Sequence, residues 1–119
     1  MWKYGNNPTE SDFEKKLDYV ESLLAEYGAE RTELNKRNRE RFGQRPTYLF
    51  NGEYYRVDHI FFADKPYIVI EWADEEKLAD LGVLEDAEPF PYDLPDSKIR
   101  REVCFALDLE PYPESYPDY

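Results

Sequence analysis

Residues 46–73 read PTYLFNGEYYRVDHIFFADKPYIVIEWA, and this stretch decides the fold because it concentrates the strand signal of the chain. Two runs rich in Tyr, Phe and Val flank Asn51-Gly52. That dipeptide tolerates the positive φ angles of a two-residue hairpin turn better than most others. The sequence therefore predicts a hairpin made of residues 47–50 and 53–62.

A third apolar run follows the hairpin. Pro66 fixes its own φ angle and has no backbone donor, which indicates a break, and residues 67–73 then supply another strand. Consecutive strands usually lie next to one another, and the simplest connection here is antiparallel. These runs predict a small α+β domain built on a three-stranded antiparallel meander over about residues 47–73.

Alternation assigns the faces of the second strand, because successive side chains of a strand point to opposite sides of the sheet. The face predicted to meet the core carries Tyr55, Val57, His59 and Phe61. Toward the end of this strand, residues 60–62 are all apolar, which is typical of a strand covered on both sides.

One amphipathic helix is predicted before the strand-rich stretch in the chain, and another is predicted after it. The first spans about residues 12–27, with a capping box from Ser11 to Glu14 and an end at Gly28. The last begins at Asp96 or Ser97. Both helices are expected to pack on the meander. Eight side chains are predicted to be buried together: Leu17, Leu24, Val57, Phe61, Ile68, Ile70, Val103 and Leu107.

The remaining segments give weaker patterns. A mostly exposed helix is predicted within residues 30–45 and ends before Gly43, and a short helix capped by Asp74 is predicted to turn Leu78 and Leu81 inward. Residues 85–95, EDAEPFPYDLP, contain three prolines and predict a surface loop. The tail over residues 110–119 repeats Pro and Tyr and is expected to be extended.

Size and charge restrict the function. The 119 residues suit one domain, and the net charge is −12. Residues 64–119 hold 16 acidic and 5 basic side chains, a net of −11. This balance favours a basic protein as partner and disfavours general nucleic-acid binding, which depends on Lys and Arg contacts to phosphates. Cys104 is the single cysteine, and we expect a cytoplasmic protein that does not enter a membrane.

Catalytic motifs are missing from the sequence. His59 is the only histidine and is expected to be a half-buried strand residue, with Asp58 on the opposite face and unable to pair with it. Cys104 is expected to be a buried, inert thiol. No phosphate-binding glycine loop or nucleophile elbow occurs. We therefore predict no catalytic residue, metal ligand or cofactor.

Three functions remain open. The first is a non-enzymatic, acidic module that regulates or inhibits a basic protein, and its predicted contact residues are Asp86, Glu88, Phe90, Tyr92, Asp93, Tyr112 and Tyr116. The second is a nucleic-acid contact through an arginine stripe, predicted at Arg37, Arg39, Arg41 and Arg45. The third is a small ligand-binding or enzymatic domain with a pocket lined by Tyr and Trp. The sequence leaves the oligomeric state open.

Overall fold

The computed structural model describes residues 9–109, in which four helices and five strands are formed. Its elements in chain order are α1 (Glu10–Glu26), β1 (Glu30–Arg31), α2 (Lys36–Phe42), β2 (Tyr48–Phe50), β3 (Glu53–Phe62), β4 (Lys65–Ala73), α3 (Glu76–Asp80), β5 (Asp86–Pro91) and α4 (Asp96–Ala106). The five strands make one sheet in the order β1-β2-β3-β4-β5, and every neighbouring pair is antiparallel. The predicted α+β class is confirmed, whereas the three-stranded meander is wrong because a strand is added at each edge.

Two tight turns of the same kind join the central strands. Asn51 and Gly52, at φ 52° and 85°, connect β2 to β3 as the sequence predicts. Ala63 and Asp64, at φ 53° and 64°, connect β3 to β4. The sequence predicts a longer break here, with the third strand starting at residue 67, because alanine has a steric cost in the left-handed region and is rarely found there. Lys65 and the residue after it therefore already belong to β4.

The prediction of a loop over residues 85–95 is wrong for its first half. Residues 86–91 form β5, which pairs with β4 so that Phe90 lies opposite Ile68. Prolines at positions 89 and 91 are compatible with this strand because it is the edge of the sheet, where one side of the backbone needs no ladder partner. Tyr92 extends the pairing by donating its backbone N–H to the carbonyl of Pro66 at 3.1 Å.

Two helix boundaries also differ from the predictions. The capping box of α1 is formed by Thr9 and Asp12 instead of Ser11 and Glu14, so this helix starts two residues early. The helix predicted within residues 30–45 is shorter. Its first two residues form β1, and α2 occupies only Lys36–Phe42, ending as predicted before Gly43.

The core lies between one face of the sheet and helices α1 and α4. It contains seven of the eight side chains predicted to be buried together: Leu17, Leu24, Val57, Ile68, Ile70, Val103 and Leu107. The exception is Phe61, whose side chain is 52% exposed because α1 covers only part of β3 at this end. The predicted alternation is nevertheless correct, since Tyr55 and Val57 on the same face are buried.

The opposite face of the sheet carries a buried polar network under α2 and α3. Arg56 donates from Nη1 to Gln44 Oε1 at 2.7 Å and from Nη2 to Glu71 Oε1 at 3.0 Å. Gln44 Oε1 also accepts from Asn35 Nδ2 at 2.7 Å, and the Asn35 backbone N–H donates to Asp80 Oδ1 at 2.9 Å. Hydrogen bonds of this network connect the residues flanking α2 with α3, β3 and β4. The face of the sheet that meets α1 and α4 is held by apolar packing instead.

The short helix α3 starts after Glu75, and Asp74 makes no side-chain cap to it. Leu78 is half-buried, but Leu81 is exposed, so the prediction that Leu81 turns inward is wrong. None of the helices formed by residues 9–109 combines the length and the apolar character needed to cross a bilayer. The predicted extended tail over residues 110–119 lies outside the described residues.

Candidate functional site

The carboxylates predicted to contact a partner are spread along and beyond β5. Asp86 and Asp93 are exposed. Glu88 lies opposite Ile70 on β4, which turns its side chain toward the helix-covered face, where it hydrogen-bonds Glu102 on α4. Burial, together with the neighbouring Glu88, raises the pKa of Glu102 to about 7. Glu88 is therefore engaged inside the domain, whereas Asp86 and Asp93 are exposed at its surface.

The aromatic residues predicted as exposed anchors are placed differently. Phe90 is only 2% exposed and belongs to the core, so the expectation that it stands in an exposed loop is wrong. Tyr92 packs edge-on against Phe13, with ring centroids 5.0 Å apart, and its hydroxyl donates to the carbonyl of Asp12 at 3.2 Å. Tyr112 and Tyr116 lie outside the described residues.

The predicted arginine stripe is broken. Arg37 and Arg41 are exposed on α2, but the helix ends at Phe42, so Arg45 cannot continue the spacing of four. Arg39 turns toward the carbonyl of Thr32 and the carboxylate of Glu33. Arg45 is held by carboxylates of α1. The structure brings no more than two of the four arginines together on the surface.

A cleft of about 360 Å³ lies between the first half of α1, the end of α2 and the free edge of β3. Its lining residues are Glu10, Phe13, Glu14, Leu17, Phe42, Gly43, Gln44, Arg45, Asp58 and His59. Apolar groups from α1 and α2 line one part, and three carboxylates, those of Glu10, Glu14 and Asp58, line another. Neither Tyr nor Trp lines this cleft.

His59 forms part of the cleft wall. Its ring stacks on Phe13, with centroids 4.1 Å apart and planes inclined by 22°. Asp58 does not point away as the alternation predicts. Its Oδ1 accepts the backbone N–H of His59 at 2.8 Å and lies 3.7 Å from His59 Nδ1. Among residues 9–109, no group hydrogen-bonds this buried Nδ1.

The carboxylates of the cleft differ in their partners. The guanidinium of Arg45 is occupied by Asp18 and by Glu21, whose Oε2 is 2.7 Å from Nε. Glu10 and Glu14 on the rim have no cation within ion-pair distance among the residues that the structure describes. The rim therefore carries negative charge that the described part of the chain does not neutralise.

Large apolar side chains are exposed beside this rim. Phe42, which lines the cleft, is 64% exposed, and Phe61, which packs edge-on against Phe13 of the cleft wall, is 52% exposed. Ile60 and Phe62 are exposed as well, but the alternation of β3 places them on the other face of the sheet. Sequence analysis missed this surface because three adjacent apolar residues predict coverage on both sides. Aromatic side chains are enriched in the buried centres of protein interfaces, so such a group next to unpaired charge is a candidate contact surface.

The backbone of β3 is also open at this end. The pairing with β2 reaches only Tyr55, opposite Tyr48, and no strand formed by residues 9–109 lies beside positions 57–62 on that side. An unpaired strand edge offers hydrogen-bonding groups to another chain. Charge, apolar side chains and free backbone groups thus meet at one end of the sheet.

The described residues give less support to a reactive thiol or a metal site. The Cys104 thiol is buried in α4. Within the described part of the chain, no group of three or more His, Cys, Asp or Glu side chains is arranged to hold a metal ion. Comparison of the chain with protein-family models, with characterised proteins and with solved structures yields no match. The functional argument therefore depends on the geometry of the cleft.

Proposed function

We propose that this protein is a non-enzymatic module that binds a basic protein through the acidic cleft and the apolar residues beside it. The observation that carries the proposal is that the exposed Phe42 lines one cleft with the carboxylates of Glu10, Glu14 and Asp58, while Phe61 packs edge-on against Phe13 of the cleft wall. Charge of one sign steers a complementary partner toward a surface, and desolvated aromatic groups then slow dissociation. The net charge of −12 acts in the same direction.

The location differs from the one that the sequence favours. Asp86 and Asp93 still add to the long-range field, but Phe90 is buried and cannot serve as an anchor. Phe42 takes that part in the proposal, because it is exposed and lines the cleft. The acidic C-terminal half then contributes to the rate of encounter, and the cleft contributes to the residence time.

Photocrosslinking from inside cells tests the proposal. A photoreactive amino acid replaces Phe42 in one variant and Phe105 in another, because Phe105 is similarly exposed on α4 and does not line the cleft. We expect a basic protein to be captured at position 42 and not at position 105. Capture of an acidic protein, or equal capture at both positions, would contradict the proposal.

Binding of the captured protein is then measured with two variants of equal charge change. One carries Glu10→Gln, Glu14→Gln and Asp58→Asn, and the control carries Glu75→Gln, Glu76→Gln and Glu85→Gln on exposed positions outside the cleft. We expect the first variant to associate roughly tenfold more slowly, with a flatter salt dependence, and the control to change by less than about threefold. Equal effects of the two variants would place the contact elsewhere.

A further inference from the structure

We propose that the open edge of β3 receives an extended segment of the basic partner as an additional strand, with a Lys or Arg side chain of that segment entering the cleft. This inference rests on the proposed function and specifies the form of the ligand. It is carried by the direction of the backbone groups of β3, by the position of the cleft beside that edge and by the charge of the rim.

The turn fixes the direction of the backbone groups. Phe50 and Glu53 close a two-residue hairpin and are directly paired, so Glu53 exchanges both backbone hydrogen bonds with β2. In an antiparallel ladder this direction repeats every second residue, and the N–H and C=O of His59 and Phe61 therefore point outward. The N–H of His59 confirms this, because it donates to the side chain of Asp58 instead of a strand.

Side chains of an added strand would fall on two surfaces of different character. A residue paired with His59 lies on the same face as the His59 ring, and its side chain enters the cleft toward Glu10 and Glu14. The residues before and after it point to the other face, one beside Asp58 and the other beside Ile60, and Phe62 lies two positions beyond Ile60 on that face. The edge therefore selects an alternating sequence whose basic residue enters the cleft and whose apolar residues lie beside Ile60 and Phe62.

The other long edge of the sheet is unsuitable for strand addition. It is formed by β5, where Pro89 and Pro91 lack backbone donors and the N–H pattern is interrupted. At the edge of β3, the donor of Phe61 is present and its surroundings are apolar. Strand addition is a recurrent mode of peptide recognition in which the main chain gives affinity and the side-chain pockets give specificity.

A second copy of this chain is a poorer occupant than a basic segment. Two-fold pairing of the same edge would bring the carboxylates of Glu10, Glu14 and Asp58 toward their own copies. Like charges placed directly opposite destabilise strand pairs, and each chain carries a net charge of −12. A segment rich in Lys or Arg instead neutralises the rim.

Binding of synthetic peptides tests the inference. The probe is a short peptide of alternating valine and arginine, and two controls have the same composition. In one control the residues are rearranged into a valine block and an arginine block, and in the other alternate backbone nitrogens are methylated. We expect the probe to bind at least about tenfold more tightly than either control, because only the probe combines the alternation with free backbone donors.

A pair of protein variants tests the edge itself. Phe61→Ala and Phe61→Pro both remove the ring, but only proline removes the outward N–H, and the ladder with β4 is kept because that N–H does not face it. We expect Phe61→Pro to bind the probe roughly three- to tenfold more weakly than Phe61→Ala, which corresponds to one hydrogen bond. Amide exchange of β4 residues in each variant verifies that the sheet is intact.

The results separate the two proposals. Equal binding of the probe and the methylated peptide, together with equal binding of the two Phe61 variants, would overturn strand addition. If the Glu10, Glu14 and Asp58 variant still weakened binding in that case, the acidic cleft would keep its function. Failure of every basic peptide, together with failure to capture a basic protein at Phe42, would contradict the proposed function itself. A dimer in sedimentation that Phe61→Pro dissociates would assign the edge to a second copy and overturn the inference.

Discussion

Arg45 donates from Nε to Oε2 of Glu21 at 2.7 Å, and this contact fastens the middle of α1 to the segment that leads into β2. Glu21 is buried and accepts a second hydrogen bond from the Tyr48 hydroxyl at 3.1 Å. Burial, together with the nearby carboxylate of Glu21, raises the pKa of the Tyr48 hydroxyl to about 12. A single carboxylate thus holds a helix, a loop and a strand in one position, next to Arg45, which lines the acidic cleft.

Replacing Glu21 should therefore cost more than replacing its neighbour. Glu21→Gln is expected to lower the free energy of unfolding by roughly 1–3 kcal/mol, because buried donors of Arg45 and Tyr48 lose a charged acceptor. Asp18 also pairs with Arg45 but is exposed, and Asp18→Asn should cost less than about 1 kcal/mol. Urea titration of both variants measures the difference. Equal losses would mean that Glu21 is solvated.

Two substitutions in the turn between β3 and β4 should make the folded protein more stable. Ala63 and Asp64 both adopt positive φ angles, which cost an L-residue with a side chain about 1–2 kcal/mol. Ala63→Asn with Asp64→Gly installs the dipeptide already present at the other hairpin and should raise the free energy of unfolding by about 1 kcal/mol. Thermal and urea unfolding measure the gain. The control is Asn51→Ala with Gly52→Asp, which should lose a comparable amount, and a loss in the improved variant would refute this reading.

Truncation of two phenylalanines of the sheet should lower the free energy of unfolding by very different amounts. Phe90→Ala is expected to cost roughly 3–5 kcal/mol because its ring is buried in the core. Phe62→Ala should cost less than about 1 kcal/mol because its ring is largely exposed. The free energies of unfolding from denaturant titration test both values. A small loss at Phe90 would indicate that β5 does not pack on the core.

The Glu102 carboxyl should make stability depend on pH. Its pKa is raised from 4.5 to about 7 by burial and by Glu88, so the folded state binds more protons than the unfolded state between those pH values. The contribution of the Glu102 carboxyl to the free energy of unfolding is fully present below about pH 4.5, and it is lost as the pH rises through 7. Glu102→Gln should therefore stabilise the protein at pH 8 by about 1 kcal/mol, a value reduced for solvent screening of a half-exposed group, and have little effect near pH 4.5.

A matched control isolates that effect from net charge. Glu85→Gln removes one negative charge at an exposed position and should change the free energy of unfolding by less than about 0.5 kcal/mol at either pH. Denaturant titrations of the parent and both variants at the two pH values give the comparison. A pH-independent gain for Glu102→Gln would show that ionisation of the partly buried Glu102 carboxyl next to Glu88 is not responsible.

Prediction succeeded where the signal is local. The Asn51-Gly52 turn, the alternation that buries Val57 and the apolar stripe of α4 through Ile99 all occur as expected. Each depends on residues a few positions apart, for which backbone geometry sets the periods. The sequence predicts the candidate site less well, since it places Phe90 in an exposed loop and gives no connection between His59 and α1. Those errors concern contacts between residues distant in the chain.

Composition and short-range patterning are enough to predict the class of the domain, its two amphipathic helices, the central hairpin and a strong acidic charge. They do not predict that residues 86–91 form an edge strand, that Glu102 meets Glu88, or that Phe61 stays exposed next to Phe13 in the wall of the cleft. An apolar run has the same appearance in a sequence whether or not another element covers it. Coverage depends on where α1 starts and how far β2 extends, and both are fixed by long-range packing.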